Sequence, residues 1–125
     1  MSSITISRTD RIATVELNRP DKRNALSPTL IADLHQALDD IEGDEQIAVM
    51  ILGGHGKSFC AGMDLRGVLE DAAAMGGMLR ELARATWRIR MLPIPTIARV
   101  QGAAIGGGCG LAAVTDLAIT HPEAR

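Results

Sequence analysis

The sequence predicts an α/β fold built on a parallel sheet covered by helices, and three observations predict it. Ile47 to Leu52 is a short, continuous apolar run bounded by Gly53-Gly54, which reads as a strand buried on both faces beneath helices. Strand-like and helix-like stretches follow one another in the order β-β-α-β-α-β-α-β. Two small-residue loops, Gly53 to Gly62 and Gly102 to Gly108, each follow an apolar β-like run and open onto a helix-like run.

The elements follow in order. Ile4-Thr5-Ile6-Ser7-Arg8 and Ile12-Ala13-Thr14-Val15-Glu16-Leu17 both alternate, with Asp10-Arg11 between them, and so predict a hairpin with one buried face. Asn18 to Asn24 is a polar loop broken by Pro20. Ser27-Pro28 is an N-cap followed by proline at the first helical position. Leu30, Ile31, Leu34, Leu38 and Ile41 then recur at helical spacing up to a stop at Gly43. Met63 to Leu69 reads as a short helical turn. Ala72 to Met91 reads as a longer helix with a start weakened by Gly76-Gly77, and Leu92-Pro93-Ile94-Pro95 ends it. Thr96 to Val100 is a strand, Gly108 to Val114 a helix, and Leu117-Ala118-Ile119 a last short strand.

Composition narrows the function classes. The 125 residues suffice for one small domain with a core. With 46% hydrophobic and 22% charged residues the chain is not a disordered one. A net charge of −2 with scattered Lys and Arg argues against a nucleic-acid partner. One Trp, one Phe and no Tyr leave little for base stacking. Cys60 and Cys109 have no metal-ligand spacing, so no metal site is expected. Neither a secretory leader nor a membrane span is legible, and the expected location is the cytoplasm, with reduced thiols.

The glycine loops hold the chemistry. Glycines permit unusual backbone angles and close approach of a ligand, and a helix starting near Met63 would aim free N–H groups back at the first loop. Two such loops can bring two backbone N–H groups to one oxygen and so stabilise an enolate or a tetrahedral oxyanion. Alternatively the loops are tight βα connections, or the second cradles a phosphate. Gly108 to Ala113 formally fits G-x-G-x-x-A, but its glycines do not directly follow the strand, which weakens a dinucleotide reading. His35, His55 and His121 lack partners at metal or triad spacing and read as solvated. Ser58 lacks the context of a nucleophile elbow. Asp64 reads first as a carboxylate favoured in a first helical turn, and second as a catalytic acid. Asp116 reads as a structural cap or pair. Met63, Met75, Met78 and Met91 are core filler or an apolar acyl pocket. Arg19, Lys22 and Arg23 form a small basic cluster, either a solvated turn or a contact for a phosphorylated ligand.

Three segments in this order resemble the crotonase family, the enoyl-CoA hydratase/isomerase superfamily: Arg19 to Leu26 after the hairpin, Phe59-Cys60-Ala61-Gly62-Met63-Asp64-Leu65, and Gly102 to Leu111. The resemblance covers essentially the whole chain. It implies a crotonase-like spiral of ββα units, with residues 1–125 as the N-terminal part of an acyl-CoA-binding domain, before the C-terminal helices. It implies an acyl-CoA thioester as ligand, with coenzyme A as part of the substrate and no separate cofactor. By analogy, Arg23, Ala25, Leu26, Ala61, Gly62, Met63, Asp64, Leu65, Ile105, Gly107 and Gly110 contact that ligand. The N–H groups of Met63 and Gly107 form the oxyanion hole. A homo-oligomer, a trimer or a dimer of trimers, is implied as well. The sequence departs from the family at Gly110, where the hydratases place a glutamate. The second family glutamate comes from the segment after the Leu117 strand.

Two readings follow. One is an acyl-CoA enzyme, hydratase or isomerase, that stabilises an enolate through the backbone oxyanion hole. The other is a catalytically inactive truncated paralogue that binds acyl-CoA or a partner subunit. The missing glutamates favour the latter for the 125-residue chain alone.

Overall fold

A computed structural model describes residues 3–124. Strands β1 (Ile4–Thr9) and β2 (Ile12–Leu17) lead through a 3-10 turn (Pro20–Lys22) to helix α1 (Pro28–Glu42). Then come β3 (Val49–Gly54), α2 (Ala72–Arg90), β4 (Thr96–Arg99), α3 (Gly107–Ala113) and β5 (Leu117–Ile119). The sheet order is β1-β2-β3-β4-β5. The hairpin pair is antiparallel and every later neighbour is parallel. Element order and fold class match the expectation, with ends displaced by a residue or two.

Local chemistry sets the helix starts. Ser27 Oγ accepts from the Leu30 N–H at 3.1 Å, filling one of the donors that a first helical turn leaves open. Asp71 does the same for Ala74 at 3.0 Å, which lets α2 begin ahead of Gly76-Gly77. The apolar stripe of α1 (Leu30, Ile31, Leu34, Leu38, Ile41) is buried as its spacing predicts. It shares a core with Val15, Leu17, Met50 and Leu52 of the sheet and with Met78, Leu82, Ala85 and Ile89 of α2. The methionines sort accordingly: Met78 is core, Met63 and Met75 pack against it, and Met91 is 60% exposed.

Two expectations fail. The central strand is covered on one face only. Met50 and Leu52 are buried, but Val49 and Ile51 are half-buried. Their face continues through Ile12, Ile97 and Leu117 by strand register, and Ile12 and Leu117 are 40% and 63% exposed. Both long helices contribute to the core on the opposite face, so within the described residues helices cover one face of the strand. His35 is not solvated: it is 8% exposed. Its Nε2 lies 3.0 Å from the Glu81 carbonyl, and Arg88 donates to its Nδ1 at 3.0 Å. An arginine donor at Nδ1 makes that nitrogen the acceptor, so Nε2 holds the proton. The ring thus ties α1 to α2. His55 is half-buried with Thr5 Oγ1 at 2.9 Å from its Nε2, whereas His121 is exposed as expected. No helix among the described residues is long and apolar enough to cross a membrane.

Loss of the α1 cap gives the first test. Ser27→Ala is expected to lower the unfolding free energy by about 1 kcal/mol, with the denaturant slope unchanged. Equilibrium denaturation followed by helix signal measures it.

Candidate functional site

The chemistry-bearing loops meet beyond the carboxyl ends of the parallel strands, where open α/β sheets place their ligands. Three stretches of main chain pair there side by side. Ala61 N–H donates to the Arg23 carbonyl at 3.0 Å, Leu26 N–H to Gly62 at 2.7 Å, and Asp64 N–H to Leu26 at 2.7 Å. On the other side Phe59 and Cys60 N–H both donate to the Ala103 carbonyl at 3.0 Å, and Ile105 N–H to the Cys60 carbonyl at 3.0 Å. Residues 59–64 therefore run as an extended ribbon between 23–26 and 103–105, with parallel bridges Leu26–Met63 and Cys60–Ala104.

This pairing corrects the expected helix at Met63 to Leu69. The chain is extended at Met63 and turns afterwards, with Gly67 at φ +81°. Partnership with Leu26 pulls the backbone out of helical geometry. No helix dipole therefore acts on Asp64. Its carboxylate instead accepts from Arg66 Nε at 2.8 Å and Nη2 at 2.7 Å, and from Arg19 Nη2 at 3.3 Å. Chiefly through the Arg66 hydrogen bonds, and against an opposing push from burial, the Asp64 carboxyl is held well below the usual carboxylate range. A carboxylate so firmly ionised is not a general acid. Arg19 also donates to the Ala25 carbonyl at 2.6 Å, which takes it out of the expected solvated turn and makes it a strut between the 23–26 and 61–64 stretches.

Glycine is required where the ribbon is tightest. Gly62 has φ +98°, and a Cβ there would lie 2.9 Å from the Ile105 carbonyl oxygen. At Gly108 a Cβ would come within 2.3 Å of the Cys60 carbonyl oxygen, a distance no side chain tolerates. Gly107 stands at the start of α3, facing Leu26, Leu82 and Met63: a Cβ there would meet Leu26 Cδ1 at 2.9 Å and Met63 Cγ at 3.9 Å. The loops thus bring Met63 and Gly107 together. Among the described residues, neither the Met63 N–H nor the Gly107 N–H donates a hydrogen bond. Both residues are half-buried, so solvent or a ligand can reach the two donors.

The remaining expected residues fall around this centre. Asp21, Lys22, Arg23, Ala61, Asp64 and Arg66 line a polar cleft of about 320 Å³. Ala25 and Leu65 border the same cleft. Leu65 in the cleft and Ile105 on the neighbouring loop are 40% and 58% exposed. Gly110 faces open space, with nothing within 4 Å of a Cβ. Burial pushes the Cys60 thiol up to about 11, so it stays protonated and is no nucleophile. Asp116 is structural as expected, accepting from the Thr96 N–H at 2.9 Å. Sequence reasoning missed Arg66, Asn24 and Gln101. Each lies outside the helices and strands, and only the folded contacts separate these side chains from solvated ones.

Two outcomes test this geometry. Gly108→Ala is expected to destabilise the chain by about 1–3 kcal/mol, the usual cost of forcing atoms into a packed region, whereas Gly110→Ala is expected to cost nothing. Thermal melts of the two variants measure the contrast. Asp64→Asn is expected to destabilise the chain at neutral pH. The folded carboxyl titrates below its unfolded value of about 3.9, so the wild-type advantage is full above about pH 5 and is lost as pH falls through the acid range. Denaturant titrations of both chains from neutral to acid pH measure the gap; a gap that does not close toward low pH would show the ion pair to be irrelevant.

Comparison with known proteins gives the family. The enoyl-CoA hydratase/isomerase family pattern matches residues 7–125. A hydroxycinnamoyl-CoA hydratase-lyase of Pseudomonas fluorescens is 41% identical over 121 residues, spanning 92% of this chain and 44% of that protein. A 2,3-dehydroadipyl-CoA hydratase of Escherichia coli is 36% identical over 127 residues, spanning all of this chain and 49% of that protein. Among solved structures, an enoyl-CoA hydratase from Bacillus anthracis superposes with a TM-score of 0.93 at 29% identity, over 98% of this chain and 49% of that one. One from Mycobacterium smegmatis gives 0.90 at 34% identity, over 96% and 48%. The chain spans about half the length of the relatives it matches. With the family pattern covering nearly every residue and the same fold in its relatives, the chain belongs to the enoyl-CoA hydratase/isomerase family.

Proposed function

We propose that this chain binds an acyl-CoA thioester and polarises its carbonyl with the main-chain N–H groups of Met63 and Gly107. One observation supports the reading most: two donors without acceptors, on neighbouring loops, beside a polar cleft. A thioester oxygen placed between them gains negative charge as an enolate forms, and fixed donors stabilise that charge without reorganising. Lys22 and Arg23 at the cleft suit the phosphates of coenzyme A, while the exposed Leu65 and Ile105 suit the methyl and methylene groups of its pantetheine arm. The main chain of Ala25, Leu26, Ala61 and Gly62 shapes the wall between them, and Asp64 fixes it through Arg19 and Arg66.

Proton transfer needs a further group. Gly110 has no side chain to offer, and Asp64 is held ionised by two arginines. The described residues therefore supply binding and polarisation, and neither Gly110 nor Asp64 supplies the acid–base step. A chain of these residues alone binds acyl-CoA without turnover, the second reading that Gly110 favours.

Titration with a 2-enoyl-CoA labelled with ¹³C at the thioester carbonyl tests the reading. The expected result is saturable binding and a downfield carbonyl shift. Absence of binding, or a bound carbonyl resonating as it does in water, would overturn it. Replacing Gly107 with glycolic acid, an amide-to-ester exchange, sharpens the test, because it removes that N–H without adding a Cβ, which would meet Leu26 Cδ1 at 2.9 Å. It is expected to keep the helix signal and the affinity for free coenzyme A but to lose much of the carbonyl shift. In any protein context that turns over, loss of one such donor costs about 10²–10³-fold in rate.

A further inference from the structure

Two side-chain amides outside the thioester site converge on a single loop. Asn24 is fully buried at φ +58°. Its Oδ1 accepts from the Arg19 N–H at 2.8 Å, and its Nδ2 donates to the carbonyls of His55 at 2.9 Å and Ser58 at 3.0 Å. Gln101 Nε2 lies 2.7 Å from the Gly54 carbonyl, 3.0 Å from Gly56 and 3.0 Å from Ser58. Four main-chain carbonyls of residues 54–58 thus point at two amides, and Ser58 receives both.

The orientation of Gln101 is imposed by these carbonyls. Its Oε1 is buried without a partner, and an amide left that way normally flips. Here a flip would set the amide oxygen against three carbonyl oxygens and leave all three without this donor. The chain therefore accepts one orphaned oxygen in order to satisfy the loop.

The attachment points explain what this grip controls. Asn24 belongs to the stretch that pairs with Ala61–Asp64 and so with Met63. Gln101 immediately precedes the stretch that pairs with Cys60 and leads into Gly107. The gripped loop runs straight into the ribbon between them. We infer that Asn24 and Gln101 are positioning residues whose amides, by holding the 54–58 carbonyls from both sides, set the spacing of the Met63 and Gly107 N–H groups. The consequence for the thioester rests on the proposed function above; the consequence for the backbone does not.

The test uses amide resonances of the purified chain without ligand, and then the labelled 2-enoyl-CoA. Gln101→Leu removes the donors at similar volume. It is expected to shift the Met63 and Gly107 N–H resonances while those of β1 and α1 stay in place, and to reduce the bound carbonyl shift at least twofold at saturation. Gln101→Lys, whose ammonium offers three donors to three carbonyls, is expected to retain the wild-type resonances. If Gln101→Leu melts earlier but keeps the Met63 and Gly107 resonances and the full carbonyl shift, its role is stability alone and the inference is overturned. If Gln101→Leu does not fold, Gln101→Lys decides: retained resonances uphold the inference, displaced ones overturn it. A wild-type chain that shows no carbonyl shift sinks the proposed function, while the ligand-free resonances still decide the amide grip.

Discussion

The extended ribbon of residues 59–64 is the constraint on which the site depends. It has no place in the main sheet, yet its Phe59, Cys60, Ala61 and Asp64 N–H groups and its Cys60 and Gly62 carbonyls pair with 23–26 or with 103–105. Each flanking stretch follows a different strand, β2 or β4, and the ribbon follows β3. Parallel neighbours in the sheet thus remain parallel neighbours beyond it. Residues far apart in sequence are brought to one place because the strand register is continued by three more loops. A site built this way inherits the rigidity of a sheet although it consists of loops.

That arrangement also explains the charges. Asp64 follows Met63 on the ribbon, and Arg19 opens the loop after β2. Their ion pair, reinforced by Arg66, crosses from one stretch to the other where Asp64 is only 12% exposed at its side chain. An exposed pair contributes little to stability. Arg66 is 65% exposed, so solvent screens its pair with Asp64, and the Arg19 pair, with that arginine only 21% exposed, is the better shielded of the two. The electrostatics therefore serve placement of the ribbon rather than proton transfer, and the sequence-level choice between a dipole-favoured carboxylate and a catalytic one resolves to neither.

The regular parts of the fold were legible because they follow period and cap. Alternation in β2, the Ser27-Pro28 cap, and the α1 stripe at Leu30, Ile31, Leu34, Leu38 and Ile41 each depend on neighbours in sequence. The helix expected at Met63 failed because pairing with Leu26 is a long-range contact that local pattern does not encode. His35 failed for the same reason: nothing near it in sequence announces that Glu81 and Arg88 will close over it. The two open N–H groups at Met63 and Gly107 are a different case. Main-chain donors leave no residue type to read, so their positions came from a resemblance and not from the residues themselves.

The same fact has a consequence for how such a site can be tuned. A side chain can be exchanged, but a main-chain N–H can be changed only by moving the chain. At Met63 the side chain packs near Leu26 and Gly107, so its bulk shapes the cavity without adding or removing a donor. The glycines forbid other adjustments, since a Cβ at Gly108 would strike the Cys60 carbonyl oxygen. What remains free is Gly110, with open space where a Cβ would stand. The backbone around Met63 and Gly107 is consequently fixed by packing, whereas position 110 has room for a side chain. On the proposed function, the donors are set by the backbone and an acid–base group by a side chain, so the two are tuned independently.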